Sequence, residues 1–248
     1  MFLLGLLLGF VGLGGAGMIS ALLIILFQVP VHLAFGTALG AMFATCVTGG
    51  WSHLREGNVE PVSGLQIGLF GIVGAYLGSS LALAMGAREL KTVAGLILMG
   101  NSVMLYIRTR MVVRWEPDPK PVSAGEMWRR QLPASAAVGL VCGLVSGFFA
   151  IGAAPWIQVG LMLTRRTDLR MTIGTAMFAL ALMSLTGAVR FAQGGQIEPG
   201  LLLAVVLGLS VGSFTGARFT RRAPRSLVRW ALIASPLVAG SLLILAPA

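Results

Sequence analysis

Residues 1–27 of the chain read MFLLGLLLGFVGLGGAGMISALLIILF, and residues 12–17 within this stretch, GLGGAG, include four glycines. The flanking residues are mostly apolar helix formers, whereas glycine is disfavoured in a helix by ~1 kcal/mol relative to alanine. The pattern therefore predicts two helical pieces separated by a turn at GLGGAG. Such irregular backbone is tolerated at membrane depth only against protein or a water-filled cavity.

The composition of the whole chain is that of a membrane protein. Of the 248 residues, 56% are hydrophobic and 10% are charged, and the mean hydropathy is +0.90. No charged residue precedes Arg55, and long uncharged runs recur between Glu60 and Arg88 and between Arg130 and Arg165. These runs are long enough to cross a hydrocarbon layer of ~30 Å, and they lack the period-two alternation of barrel strands. We expect an all-α, multi-pass protein of the cell inner (cytoplasmic) membrane.

Charge and cysteine content argue against nucleic-acid-binding, disulfide-rich and metal-binding proteins. The net charge is +10, and the arginines flank apolar segments instead of forming basic patches interleaved with aromatic residues. This pattern favours contact with the lipid bilayer and not with nucleic acid. Cys46 and Cys142 lie inside apolar runs, which argues against a disulfide framework. His32 and His53 have no acid or cysteine at metal-ligand spacing, so we expect no metal and no cofactor.

The chain contains an internal repeat. Shifting the sequence by 138 residues without a gap places GTALGAMFATCVTGG, which begins at Gly36, on GTAMFALALMSLTGA, which begins at Gly174. The same shift aligns other glycines and both Glu-Pro pairs, Glu60-Pro61 and Glu198-Pro199. The alignment predicts two copies of one unit, residues 1–107 and 132–248, joined by a polar, cytoplasmic linker at 108–131. The Glu-Pro pairs predict helix starts, with the acid as a cap, and a proton relay through one of the two glutamates is the alternative.

The basic residues discriminate between two topologies. Eight simple crossings with the linker inside would leave ten of the eighteen basic residues outside, which contradicts the positive-inside rule. If the first segment of each unit instead enters and leaves on one side, fifteen are inside, and Arg88, Lys91 and Arg190 are outside. We therefore predict two inverted repeats, each made of a re-entrant, broken helical hairpin and three transmembrane helices. Eight simple transmembrane helices remain the alternative.

Broken helices of this kind favour an anion site. A half-helix that starts near the midplane presents unpaired N–H groups and a partial charge of ~+0.5. The second copy has FAIGAAPW at residues 149–156, with Pro155 suited to the first turn of a returning helix. Two inverted copies that face each other are common among transporters. We predict that an anion is held by Gly14, Gly15, Ala16 and Gly17 of the first copy and Gly152, Ala153 and Ala154 of the second. Close helix packing through small residues is the alternative role of GLGGAG.

Polar residues within the apolar runs are further candidate ligands. Four threonines recur at matched positions: Thr37, Thr48, Thr175 and Thr186. Their alternative role is a hydrogen bond to their own helix. Asn101, Ser146 and Gln158 are unmatched, and simple interhelical hydrogen bonding is their alternative. Arg190 replaces Ser52 of the first copy and is a candidate for attracting anions or for snorkelling at a helix end. Glycines spaced four apart predict close helix packing: Gly74, Gly78, Gly212 and Gly216.

The chain resembles the sulfite exporter TauE/SafE family of membrane anion permeases. The resemblance rests on GFVGLGGAGMISALLI at 9–24, GTA at 36–38, the loops REGNVEP and QGGQIEP, and the two-copy layout. It covers nearly the whole chain except the linker. It implies a cytoplasmic-membrane transporter that moves sulfite, sulfoacetate or related organosulfur anions, usually outward. Family members often carry GGG followed by a proline, whereas this chain has GGAGMIS, and Ala153 and Ala154 in the second copy.

These observations together predict a secondary transporter, and an exporter, of a small sulfur-containing or organic anion such as sulfite, sulfoacetate or a sulfonate. The chain has no phosphate-binding GxxxxGK[ST] motif, so coupling to protons or uniport remains. A membrane-embedded enzyme would need clustered acids, histidines or a nucleophile at depth, which the apolar runs lack. A non-transporting membrane subunit is the other alternative, and the sequence leaves a homodimer open.

Overall fold

The computed structural model describes residues 16–114, 124–165, 169–220 and 225–245, and they are helical apart from short connections. Gly14, Gly15 and part of the predicted linker lie outside these ranges. The helices are α1 (Ala16–Phe27), α2 (Val31–Arg55), α3 (Pro61–Ala84), α4 (Ala87–Arg114), α5 (Ala124–Phe149), α6 (Ala154–Arg165), α7 (Leu169–Gln193), α8 (Pro199–Thr220) and α9 (Arg225–Leu245).

Within the described ranges, five helical stretches are long and apolar enough to cross a membrane, by length and composition. They are Val31–Arg55, Pro61–Ala84, Ala87–Ile107, Leu132–Phe149 and Arg170–Gln193. By contrast, α1 and α6 have 12 residues each. At ~1.5 Å per residue such a helix is ~18 Å long, which is too short to cross ~30 Å of hydrocarbon. The prediction of an all-α, multi-helix membrane protein is confirmed for the described residues.

One face of α3 is suited to lipid. Large apolar side chains four residues apart are exposed along it, at Leu65, Leu69, Val73, Leu77 and Leu81. Because residues four apart share a helix face, these side chains form a continuous apolar stripe. The opposite face carries small residues that are buried against other helices. The stripe therefore faces the surroundings, and the small-residue face holds the bundle together.

The Glu-Pro pairs begin helices, as the sequence predicts. Pro61 is the first residue of α3, and Pro199 is the first residue of α8. Proline is favoured there because its missing N–H has no intrahelical partner to lose. Glu60 occupies the N-cap position, but its side chain makes no capping hydrogen bond. The predicted side-chain cap is therefore wrong for Glu60, whose backbone N–H instead donates to Thr175 Oγ1 at 2.9 Å.

Aligned residues of the two copies adopt the same local structure. Helices α1 to α4 begin at residues 16, 31, 61 and 87, and α6 to α9 begin at 154, 169, 199 and 225, which is 138 later in every case. The turns after α2 and α7 place Gly57 and Gly195 at φ of 72° and 68°. In the first turn, Asn58 N–H donates a hydrogen bond to His53 O at 2.8 Å. In the second turn, the aligned Gln196 N–H donates to Phe191 O at 2.9 Å.

Helices α2 and α7 pack antiparallel at the centre of the bundle. Gly36, near the start of α2, lies against Phe191, near the end of α7. Gly174, near the start of α7, lies against His53, near the end of α2. Because 36 aligns with 174 and 53 aligns with 191, the two contacts are reciprocal. The two helices therefore contact each other through positions that align between the two copies.

Helix α3 packs parallel to α5 through small residues. Gly74 lies against Leu144, and Gly78 lies against Phe148 four residues further along both helices. Gly143 of α5 lies directly on the backbone of Gly71. Small residues spaced by four let two helix backbones approach closely. The predicted packing role of Gly74 and Gly78 is confirmed, and for Gly212 and Gly216 it stays a prediction.

Candidate functional site

A break between α5 and α6 occurs where the sequence predicts one. Helix α5 ends at Phe149 and α6 begins at Ala154, so residues 150–153 are not helical. All four are buried, with Ala150 and Ala153 fully covered. Non-helical backbone is tolerated at this depth because it is enclosed by protein. The break thus places irregular backbone inside the bundle and not against lipid.

The turn at this break is made by an alanine. Ala150 has φ of 49°, in the left-handed region, which costs a non-glycine residue ~1–2 kcal/mol. Among the described glycines, positive φ occurs at Gly57 and Gly195, and not at Gly152. Backbone strain of this kind persists only where surrounding contacts fix it. The complete burial of Ala150 supplies those contacts.

The first turn of α6 presents backbone donors. The N–H of Ile157 donates to Ala153 O at 3.0 Å, which is the first bond of the helical ladder. The N–H groups of Ala154 and Trp156 precede that bond, and Pro155 has none. These groups and the helix dipole give this end of α6 a partial positive charge. Gly152, Ala153 and Ala154 therefore lie at a buried helix N-terminus, and their role in holding an anion stays a prediction.

Asn101 of α4 lies beside this first turn and has a buried, unused donor. The indole Nε1 of Trp156 donates to Asn101 Oδ1 at 3.2 Å. Because indole nitrogen can only donate, this bond fixes the amide orientation and leaves Nδ2 as the remaining group. Asn101 is 0% exposed, and Nδ2 has no hydrogen-bond partner among the described residues. Leaving such a donor unsatisfied costs ~1–3 kcal/mol, which a hydrogen-bonding ligand would recover.

The start of α1 meets the α5–α6 break at the same place. A Cβ built on Gly17 would lie 2.5 Å from Leu98 Cδ2 and 3.1 Å from Ile151 Cγ1. Leu98 is three residues before Asn101, so the two share a face of α4. Leu98 and Ile151 are each 1% exposed. We call this group the tip cluster: Gly17, Leu98, Asn101, Ile151 and Trp156.

The remaining polar candidates occupy different surroundings. Thr37, Ser146 and Gln158 are buried, and their side-chain oxygens have no hydrogen-bond partner in the described part of the chain. Thr48 donates to Ala44 O and Thr45 O, and Thr186 donates to Leu182 O, so both adopt the own-helix alternative. The Thr175 hydroxyl accepts from Glu60 N–H and so holds the turn after α2. Ala16 begins α1.

Arg190 lies at a surface pocket, apart from the tip cluster. Its Nε donates to Ser80 Oγ at 2.8 Å, and its Cζ lies 5.7 Å from the centre of the Tyr76 ring. The pocket has a volume of about 360 Å³ and is lined by His32, Leu83, Arg190, Gly194 and Gln196. We call it the Arg190 pocket. No motif in the sequence links His32 or Gln196 to Arg190, so neither residue was predicted to line a binding site.

The sequence profile of the family described as Sulfite exporter TauE/SafE matches residues 1–243. The chain belongs to this family. It is 35% identical over 244 residues to the Probable membrane transporter protein YdhB of Bacillus subtilis (strain 168), across 98% of this chain and 97% of the relative. It is 28% identical over 213 residues to a Probable membrane transporter protein of Xylella fastidiosa (strain 9a5c), across 85% and 79%. No solved structure matches the chain.

Membership in the TauE/SafE family confirms the resemblance drawn from the sequence. The five long apolar helices, together with the family, make this a multi-pass membrane protein. The family and the names of the relatives indicate a membrane transporter and not an enzyme. In the part of this TauE/SafE protein that the structure describes, the tip cluster places a buried polar side chain beside a helix N-terminus, and the Arg190 pocket places polar side chains around a cavity.

Proposed function

We propose that the protein is a secondary transporter that exports a small sulfur-containing or organic anion, such as sulfite, sulfoacetate or a sulfonate, across the cell inner membrane. One observation carries the proposal: the buried Asn101 Nδ2 has no protein partner in the described residues and lies beside the first turn of α6. A donor with no acceptor, next to the positive end of a helix, is chemically suited to an oxyanion.

The proposed architecture is a pair of inverted repeats with re-entrant hairpins. Helix α5 runs parallel to α3, and α3 runs parallel to α7, as the contacts from Gly64 to Phe178 and from Gly68 to Leu182 require. Only residues 166–168 separate α6 from α7, and connections this short favour antiparallel neighbours. Helix α6 would then return toward the side from which α5 came. The antiparallel packing of α2 and α7 supports inversion of the two units.

The proposed site lies off-centre in the bundle. Phe148, at the end of α5, packs against Gly78, six residues before α3 ends at Ala84. At ~1.5 Å per residue this is ~9 Å from the end of α3, whereas the middle of the helix is ~18 Å away. The break is therefore closer to the membrane side that carries Arg190 than a midplane site would be.

The chemistry of the site is that of hydrogen-bond donors without a fixed charge. The α6 N-terminus and the Asn101 amide would replace the water molecules around an anion, and Trp156 would hold the amide in its donating orientation. A site made of donors favours an anion without binding it so tightly that release becomes slow. Because the chain has no nucleotide-binding loop to supply energy, the proposed transport is either coupled to protons or a uniport down the anion gradient.

The experiment is anion flux in proteoliposomes, with sulfite, sulfoacetate and sulfate inside and the purified protein reconstituted. Asn101→Leu keeps the size of the side chain and removes Nδ2, so the apparent KM should rise about tenfold or more. Gly100→Ala is the matched control, since a Cβ at this neighbouring position meets no atom within 4 Å. Flux of none of the anions by folded protein, or an unchanged KM in Asn101→Leu, would count against the proposal.

Topology needs a separate measurement. Cys46 and Cys142 are free and buried, so their replacement by alanine gives a background without reactive thiols. A single Arg165→Cys substitution at the end of α6 then reports the side on which this helix ends. The hairpin arrangement requires labelling from the cytoplasm by a membrane-impermeant maleimide. Labelling only from outside would support eight simple crossings instead.

A further inference from the structure

The Arg190 pocket contains a cation that no described carboxylate neutralises. The Nε of Arg190 donates to Ser80 Oγ at 2.8 Å, which leaves the four terminal N–H groups of the guanidinium as donors. No carboxylate forms an ion pair with Arg190 among the described residues. None of the described residues that line the pocket is acidic. A group that enters the pocket therefore meets an uncompensated positive charge.

The pocket borders the lipid-facing stripe of α3. Tyr76 and Ser80 are four residues apart and share a helix face, and the Arg190 side chain contacts both. Leu77 belongs to the exposed apolar stripe. It lies three residues before Ser80, so the two side chains are neighbours on the helix surface. The charge of Arg190 thus adjoins an apolar surface, which is an arrangement suited to an amphipathic ligand.

The pocket lies near the depth of lipid headgroups. Helix α3 has 24 residues and is ~36 Å long, which exceeds ~30 Å of hydrocarbon. Ser80 is four residues before the end of α3, and Arg190 is three residues before the end of α7. Both residues are therefore within ~6 Å of a helix end. At this level arginine extends its charge toward the headgroups, and tyrosine is enriched in membrane proteins.

We propose that the Arg190 pocket binds the phosphate of an anionic phospholipid whose headgroup has no amine, such as phosphatidylglycerol, with an acyl chain along Leu77 and Leu81. The guanidinium can offer a phosphate two parallel N–H donors. Basic pockets between transmembrane helices bind anionic headgroups by the same chemistry. The cavity volume of about 360 Å³ is within the ~300–1,000 Å³ of small-molecule sites. This site does not depend on which anion the protein transports.

The headgroup preference follows from the residues around the pocket. An ammonium or choline group is stabilised by a carboxylate or by the face of an aromatic ring. The described residues that line the cavity include no carboxylate and no tryptophan, tyrosine or phenylalanine. The nearby Tyr76 ring already faces the Arg190 guanidinium, whose Cζ lies 5.7 Å from the ring centre. A zwitterionic headgroup would therefore place an uncompensated cation beside Arg190.

A lipid in this pocket would join the ends of two helices. Leu83 is on the last turn of α3, and Gly194 directly follows α7. A Cβ built on Gly194 would lie 3.1 Å from Leu83 Cδ2, so the two helix ends are already in contact at the pocket. A ligand that binds only this folded arrangement stabilises the protein by mass action. We therefore expect phosphatidylglycerol to raise the unfolding temperature.

The test is thermal unfolding of the full-length protein in nonionic detergent, followed with a thiol-reactive dye at the buried Cys46 and Cys142. Dioctanoyl phosphatidylglycerol or dioctanoyl phosphatidylcholine is added to the micelles. At about one hundred times Kd, phosphatidylglycerol should raise the wild-type Tm by roughly 5–10 °C. Phosphatidylcholine at the same concentration should have a much smaller effect.

Arg190→Gln should lose the stabilisation by phosphatidylglycerol. Arg55→Gln is the matched control, because Arg55 also lies over an aromatic ring, with its Cζ 5.2 Å from the centre of the Trp51 ring. Arg55 ends α2 and does not line the pocket, so this variant should keep the full shift. If Arg190→Gln does not fold, Arg190→Lys keeps the charge and removes the planar fork. It should then raise the Kd for phosphatidylglycerol severalfold.

Three results would overturn the inference. A soluble phosphate has the same chemistry, so glycerol 3-phosphate is titrated in parallel, and an equal shift would show that the acyl chains contribute nothing. An equal shift in Arg190→Gln, or an unchanged Kd in Arg190→Lys if Arg190→Gln does not fold, would show that the net charge of +10 attracts the lipid and the pocket does not. Equal shifts from the two phospholipids would refute the headgroup preference.

Discussion

Gly17→Ala tests whether the start of α1 and the α5–α6 break pack as tightly as the tip cluster indicates. The new Cβ would lie 2.5 Å from Leu98 Cδ2 and 3.1 Å from Ile151 Cγ1. Carbon atoms in contact normally lie ~3.5–4.0 Å apart, so the Leu98 methyl must move by ~1 Å or more. Both neighbours are fully enclosed. Overpacking of this kind costs ~1–3 kcal/mol, which corresponds to a loss of roughly 3–9 °C in Tm for a chain of this size.

The assay is thermal unfolding in detergent with a thiol-reactive dye, since the two free cysteines are buried and become reactive on unfolding. Leu98→Ala removes the methyl with which the new Cβ collides, so the cost of Gly17→Ala should fall to nearly zero in that background. The coupling in this double-mutant cycle should be ~1–3 kcal/mol. Gly100→Ala is the control and should stabilise slightly, because its Cβ meets nothing within 4 Å. An equal cost of Gly17→Ala in both backgrounds would refute the packing.

Three further predictions use the same unfolding assay. Gly143→Ala should lower the free energy of unfolding by about 2–3 kcal/mol, because its Cβ would lie 2.8 Å from the Cα of Gly71, and backbone cannot move aside as a side chain can. An unchanged Tm would contradict this packing. Gln28→Gly should stabilise by about 0.5–1 kcal/mol, since Gln28 is exposed and holds φ of 53°; destabilisation would show that the side chain matters. Thr175→Val should lower the free energy of unfolding by about 1–3 kcal/mol, because it removes the acceptor of Glu60 N–H. Thr37→Val should leave the free energy of unfolding almost unchanged, because the Thr37 hydroxyl has no partner among the described residues. Equal losses in the two variants would refute the difference between the two threonines.

Local features of the fold were predictable because they depend on residues close in sequence. The proline starts of α3 and α8 follow from the fixed φ of proline, and glycines four apart on α3 indicate a close neighbour. The break after α5 was predicted from Gly152 and Pro155, but the left-handed residue is Ala150. Propensity assigns such a conformation to glycine, so it could not indicate an alanine that tertiary contacts hold there.

Contacts between distant residues explain what the sequence could not give. Asn101 and Trp156 are 55 positions apart, and no pattern in either helix shows that they meet. The sequence suggested His32 only as a candidate metal ligand. Its ring nitrogen Nε2 instead meets the carbonyl oxygen of Ala82, fifty residues away, and no local pattern indicates this contact. Thr48 and Thr186 match between the copies, yet matching reflects the repeat itself and does not distinguish a ligand from a hydroxyl bonded to its own helix.

The bond between Thr175 and Glu60 has an unequal counterpart in the other half of the molecule. The aligned residues are Thr37 and Glu198, yet the Thr37 hydroxyl has no partner in the described part of the chain. In transporters built from inverted repeats, alternating access moves one repeat against the other around the substrate site. Under the proposed inverted-repeat architecture, we expect this motion to form a hydrogen bond between Thr37 and Glu198 as the bond between Thr175 and Glu60 breaks. Each of the two hydrogen bonds would then mark one of the two opposite-facing states.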